Sequence, residues 1–188
     1  MTKKELRESI KIKKNQLSAW LINDLSQKIS QHFLTNFQFE NEIIGVFLPL
    51  ESQKELNLYP LIQDLRLFNA LCIPQTNFED FSMNFYPLPN FTDLQKGKMG
   101  LLEQNITHQE AVIPSVLIIP LLTADLKGYR VGYGKGFYDR YIQQKAPNAI
   151  RIGVSLFEPI EKIEDTDEFD QPLDFLITPR KVYSYGKP

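Results

Sequence analysis

A chain of 188 residues, 43% of them hydrophobic, can bury roughly 70% of the surface its unfolded form exposes, so it needs neither disulfides nor a structural metal to hold a core. One cysteine, Cys72, and two histidines are too few for a disulfide framework, a zinc finger or an iron–sulfur site. The 21 lysines and arginines are outnumbered by 23 aspartates and glutamates, so the general attraction to phosphate backbones on which a dedicated nucleic-acid binder relies is missing.

Residues 1–14 are charged and lack the apolar centre of a signal peptide. No run approaches the roughly 18 apolar residues of a membrane span, so the expectation is a cytoplasmic protein with no membrane partner. Residues 2–37 contain no Gly or Pro and place Leu6, Ile10, Leu17, Leu21, Leu25, Ile29 and Phe33 at mostly helical spacing, which predicts two helices or one bent one. Thr2 with Glu5 three residues on resembles a capping box, and the lysines from Lys3 to Lys14 read as a solvated face. The rhythm then changes to short apolar runs at 43–48, 70–73, 83–86, 116–120, 150–154 and 175–178, which predict strands. Residues 43–48 and 116–119 are continuous rather than alternating, as in strands covered by helices on both faces. Residues 58–68 and 137–145 are the helical candidates between them, while 77–80 and 87–100 read as a turn and a long loop. One α/β domain over 1–188 with a largely parallel sheet is expected, with Cys72 as a small apolar core residue rather than a nucleophile.

Between Pro120 and Tyr141 the chain runs PLLTADLKGYRVGYGKGFYDRY, which places four of the 9 glycines directly after the most hydrophobic strand. In α/β sheets the crevice beyond the carboxyl end of a strand is the usual ligand site, and glycines there let backbone N–H groups approach phosphate oxygens. Gly132, Gly134 and Gly136 alternate, so their amides could form an anion-binding concavity leading into a helix that starts near Phe137. Lys135 and Arg130 add positive charge, and Asp139, one turn into that helix, could hold a divalent cation against bound phosphates. Two familiar motifs fail here. A Walker A loop needs Ser or Thr after its lysine and one residue fewer between its glycines, and the dinucleotide fingerprint needs its third glycine one place later than Gly136. On these residues alone, anion binding and a purely structural glycine turn both stay open.

The run Gly128-Tyr129-Arg130-Val131-Gly132-Tyr133-Gly134-Lys135-Gly136-Phe137-Tyr138-Asp139 resembles the signature of the 5-formyltetrahydrofolate cyclo-ligase family, also called 5,10-methenyltetrahydrofolate synthetases. The resemblance extends over nearly the whole chain. Lys3-Lys4-Glu5-Leu6-Arg7 is similar to the family's K-x-x-L-R, Phe47-Leu48 through Glu55 to its first strand and following acidic residue, and Phe169-Asp170-Gln171-Pro172-Leu173-Asp174 to its H-D-x-P-x-D. It implies a three-layer α/β domain that uses ATP and Mg²⁺ to close a ring, converting 5-formyltetrahydrofolate to 5,10-methenyltetrahydrofolate with release of ADP and phosphate. In the implied mechanism the formyl oxygen takes up the γ-phosphoryl group and N10 then displaces phosphate. An amide-like oxygen is a poor leaving group, and phosphorylation makes it a good one.

Carried over position by position, the resemblance implies that Lys3, Lys4 and Arg7 reach the triphosphate from the first helix, which makes the lysine-rich segment partly functional. Arg130, Gly132, Tyr133, Gly134, Lys135, Gly136, Phe137 and Tyr138 would wrap the phosphates, with Lys135 the catalytic residue that neutralises charge on the transferred group. Asp139 and Asp174 would hold Mg²⁺. Leu50 and Glu55 would contact the folate, Glu55 accepting from the pterin's N–H donors. Arg7 and residues 133–137 would touch the same substrate, Tyr133 and Phe137 by stacking against the pterin or by lining the formyl pocket. Phe169 departs from the family's usual His, and Gln104 replaces a proline in the segment 100–104. His32 and His108 have no motif around them and read as surface or core residues. The alternatives are a nucleotide- or folate-binding regulator without turnover, against which the intact Lys135, Asp139 and Asp174 weigh, and a phosphosugar isomerase of similar architecture, which would need no triphosphate clamp. The oligomeric state is left open.

Overall fold

The computed structural model describes residues 1–97, 102–104, 106 and 109–186; the 98–101 part of the segments read from sequence as 87–100 and 100–104, and His108, lie outside them. The N-terminal segment forms two helices, α1 (Lys3–Asn15) and α2 (Ala19–Asn36). A hydroxyl starts each. Thr2 Oγ1 accepts from the Glu5 N–H at 3.3 Å while Glu5 Oε2 accepts from the Thr2 N–H at 2.8 Å, the reciprocal capping box the sequence predicts. Ser18 Oγ accepts from the Leu21 N–H at 3.2 Å and caps α2.

The chain continues through β1 (Ile43–Gly45), α3 (Tyr59–Leu65), β2 (Ala70–Thr76) and β3 (Met83–Pro87). A ribbon of β4 (Gln95–Lys96) and β5 (Leu102–Glu103) follows, then β6 (Val116–Pro120) and a hairpin of β7 (Thr123–Ala124) and β8 (Arg130–Val131). The last elements are α4 (Phe137–Lys145), β9 (Ile150–Val154), β10 (Phe175–Ile177) and β11 (Val182–Ser184). Seven strands form one sheet in the order β11-β10-β9-β6-β1-β2-β3. The five central strands are parallel, and both edges, β3 and β11, are antiparallel.

Along β6, Val116 and Ile118 pack into one core with α2 and α3, through Ile29, Phe33, Leu61 and Ile62. Leu117 and Ile119 pack into the other with α4, through Tyr141 and Ile142. Both sides of the strand are therefore covered, which is why it is continuously apolar, and the three-layer α/β fold is as expected. Among the described residues no helix is long and apolar enough to cross a membrane.

The chain builds outward from β1 to β3, then returns to the other side of β1 with β6 and builds outward to β11. β1 is shorter than the predicted 43–48. Its pairing with β6 ends at Gly45 and Leu117, whereas β6 runs on beside β9 as far as Pro120 and Val154. Val46 still donates to Cys72 O at 2.9 Å; beyond it the chain leaves the sheet. A crevice opens between β6 and β2 at the point where strand order reverses, which is where α/β sheets bind ligands.

Candidate active site

A cavity of about 550 Å³ occupies this crevice. Pro120 closes it from β6, Pro74 and Thr76 from β2, Met83 from β3, and Phe47 and Leu48 from the chain leaving β1. Lys3 and Arg7 of α1 and residues 132–139 form the opposite wall.

The hairpin that delivers this wall is held by Asp125. Its buried carboxylate accepts from the N–H groups of Lys127 at 2.9 Å, Tyr129 at 3.0 Å and Ile163 at 3.2 Å. Gly134 and Gly136 then take φ values of +93° and +66°, the left-handed region that glycine enters without steric cost. Gly136 caps α4 without a side-chain hydrogen bond to the first-turn amides among the described residues. Open N–H groups at the positive end of a helix are an anion site. Arg7 Nε donates to Gly132 O at 2.9 Å, and its guanidinium lies where a Cβ on Gly134 would stand 3.3 Å away. Lys135 is exposed. Arg140 braces the loop from outside, donating to Lys135 O at 2.5 Å and to Phe81 O at 3.2 Å.

Deeper in the same wall, Arg130 is buried, with Nη2 on Asp139 Oδ1 at 2.8 Å and Nη1 on Gln171 O. Burial pushes its pKa down, and the charges of Asp139 and Asp170 oppose that. Asp139 also accepts from the Gln171 N–H at 3.0 Å. Lys3 Nζ sits 2.5 Å from Asp170. The Tyr138 hydroxyl is buried beside the cavity without a hydrogen-bond partner among the described residues, and burial pushes its pKa up. A buried phenol without an acceptor is a donor available to a ligand.

The far end is different in character. Glu55 Oε2 accepts from the Leu50 N–H at 2.8 Å with Phe47 beside it, and Leu48, Phe78 and Met83 add apolar surface to the cavity lining. Phe137 meets Phe78 edge-on at 5.4 Å between ring centroids. Tyr133 turns its hydroxyl toward Lys14 Nζ at 3.4 Å. Burial first, and then the Glu55 carboxylate, push the Tyr133 phenol up.

Two of the expected site residues, Lys4 and Asp174, do not line the cavity. Asp174 is set apart from it. It stands at the amino end of β10, opposite the crevice, and its buried carboxylate accepts from Arg151 N at 2.7 Å, Nε at 3.1 Å and Nη2 at 3.1 Å. The aspartate of the 169–174 segment that reaches the cavity is Asp170. Lys4 is exposed on α1 and away from the cavity wall, because residues three and four apart share a helix face and adjacent ones do not. Phe169 is likewise exposed and outside the wall. The solvated-face reading of the lysines missed Lys14, which is buried; its spacing of four from Ile10 and eight from Leu6 was the available signal. Arg140 and Asp170 were also missed as site-shaping residues, although both lie within the quoted motifs. Among the described residues no three His, Cys, Asp or Glu side chains cluster as a metal cage.

Comparison with known proteins agrees with this geometry. The profile of the 5-formyltetrahydrofolate cyclo-ligase family matches residues 1–179. The chain is 36% identical to a probable 5-formyltetrahydrofolate cyclo-ligase of Schizosaccharomyces pombe, over 91% of this chain and 97% of that one. It is 28% identical to the 5-formyltetrahydrofolate cyclo-ligase of Haemophilus influenzae, over 93% and 97%. The NMR structure of Aquifex aeolicus 5,10-methenyltetrahydrofolate synthetase superposes with a TM-score of 0.78 at 26% identity, covering 100% of this chain and 95% of the other. With the family profile spanning every strand of the sheet but β11, the glycine loop and the α1 wall together, the chain belongs to the 5-formyltetrahydrofolate cyclo-ligase family and is an enzyme of the ligase class.

Proposed function

We propose that the protein converts 5-formyltetrahydrofolate to 5,10-methenyltetrahydrofolate at the expense of ATP. The observation that carries this reading is the mixed lining of one cavity: Lys3, Arg7, Lys135 and the amides of α4 lie toward one end, and Glu55, with Phe47 beside it, lies toward the other, near Lys14 at the end of α1. A triphosphate is attracted to the first end and repelled by the carboxylate at the second. A pterin suits the second, where aromatic rings can stack and Glu55 can accept N–H bonds.

In this reading Arg7 and the amides of residues 134–137 hold the triphosphate, and Phe137 and Tyr133 orient the folate so that its formyl oxygen faces the γ-phosphorus. The oxygen takes the phosphoryl group as ADP leaves. N10 then attacks the same carbon, phosphate departs with the C–O bond electrons, and N10 loses its proton. Lys135 offsets the charge that moves between these oxygens, and Tyr138 supplies a hydrogen bond that no group among the described residues uses. Asp139 uses Oδ1 for Arg130 and the Gln171 N–H, so its other oxygen would hold a magnesium ion of the kind bound by one carboxylate, substrate phosphates and water; such an ion would neutralise phosphate charge. The wall excludes bulk water from the phosphorylated intermediate.

Incubation with 5-formyltetrahydrofolate and Mg·ATP should produce the methenyl chromophore and one ADP per product. Lys135→Ala should lower kcat by about 10² to 10³ with a smaller change in the KM for ATP, as expected for a charge that acts mainly in the transition state. No product from the unaltered enzyme would overturn the assignment. A near-normal kcat in the variant would reduce Lys135 to a bystander of the loop.

A further inference from the structure

The buried stripe of α1 is Leu6, Ile10 and Lys14. Its third member is a lysine only 8% exposed, and lysine is almost never buried without a partner. Its ammonium lies 3.4 Å from the Tyr133 hydroxyl and 5.7 Å from the centre of that ring. Glu55 lies close enough for its charge to hold the ammonium pKa up against the depression that burial causes. Lys14, Tyr133 and Glu55 border a common void of about 20 Å³ behind the cavity, room for a single water.

We propose that Lys14 is a positioning residue, setting the Tyr133 hydroxyl and the Glu55 carboxylate for the pterin end of the substrate; this rests on the folate reading of Glu55 given above. Lys14 lies seven residues beyond Arg7 on α1, roughly 10 Å along the axis, so it serves the carboxylate end of the cavity and not the phosphate end. Removing its charge leaves the Tyr133 hydroxyl as the remaining donor facing Glu55 on that side, so the carboxylate turns toward the phenol and no longer accepts from the pterin. The end of α1 does not depend on Lys14 for its place. Lys54 Nζ donates to Asn15 O and Leu17 O, both at 2.9 Å, and ties that end to the Glu55 segment.

The test is steady-state kinetics of Lys14→Met and Lys14→Arg in the full chain, with thermal melts alongside. Lys14→Met should raise the KM for 5-formyltetrahydrofolate about tenfold, the loss expected for a hydrogen-bonded charge, while the KM for ATP stays within about twofold; Lys14→Arg should restore most of the loss because it restores the charge. Tyr133→Phe removes only the hydroxyl that Lys14 reaches, should shift the same constant, and should combine with Lys14→Met less than additively. It also carries the test if Lys14→Met does not fold. An unchanged folate KM, equal increases in both KM values, or a larger increase for ATP overturns the proposal. An unaltered enzyme that fails to turn over 5-formyltetrahydrofolate instead overturns the function on which the proposal rests.

Discussion

Two aspartates separated in sequence by 35 residues illustrate how neighbours, not residue type, decide a role. Both are ion-paired, Asp139 with Arg130 and Asp174 with Arg151, but the Asp139 side chain is 27% accessible on the cavity wall, whereas that of Asp174 is 4% accessible and away from it. Breaking a buried ion pair from one side leaves an uncompensated charge. Asp174→Asn should therefore cost about 3 to 5 kcal/mol of stability, measured by denaturant unfolding, and should leave the Mg²⁺ dependence of turnover unaltered. An asparagine variant of normal stability with a raised Mg²⁺ requirement would restore Asp174 to the metal site.

At the scale of elements, the sheet is drawn tight where it carries glycine. On β9 a Cβ at Gly153 would stand 2.5 Å from Leu173 Cδ1 and 2.6 Å from Leu121 Cδ2, so these two leucines meet over the strand only because that side chain is absent. Gly45 does the same for Phe85 and Leu117, at 2.8 and 2.9 Å. Gly153→Ala should destabilise the protein by about 1 to 3 kcal/mol through overpacking, visible as a lower denaturant midpoint. Helix α1 works differently. Lys3, Arg7 and Lys14 lie four and seven residues apart in turn, so one face lays charges along the whole length of the site.

For the molecule as a whole, burial moves several weak acids in one direction. The buried phenols of Tyr138, Tyr141 and Tyr185 are all pushed up, mainly by desolvation, and the Cys72 thiol is pushed up to about 12. Each folded pKa lies above its unfolded value, so the unfolded chain releases these protons first. The stability held by the neutral groups is complete below the ordinary thiol and phenol values and is lost as pH rises through them toward the folded values. The melting temperature should fall progressively above about pH 9, where free thiols and then phenols ionise, and tyrosinate absorbance in the native protein should lag behind that of the unfolded chain. A melting temperature that stays flat across this alkaline range would contradict the burial of these groups. Near neutral pH Cys72 should resist thiol reagents until the protein is denatured.

Local signals carried much of this protein in the linear chain. The capping box at Thr2, the boundaries of α4 and β6, the α/β class and the glycine loop are all readable there, since each depends on residues within a turn or a strand of one another. The family signature names the residues of that loop for the same reason. Tertiary structure decided what distance in sequence conceals. The short β1, the antiparallel edge β11 and the paired hairpin strands depend on which partner lies alongside. Asp174 could be separated from Asp170 only by Arg151, which stands on another strand. Lys14 looked like one more solvated lysine until α1 was laid against Tyr133 and Glu55. A side chain's role follows from its dielectric surroundings and the charges facing it, and in this chain those come from segments far apart in sequence, joined at the point where strand order reverses.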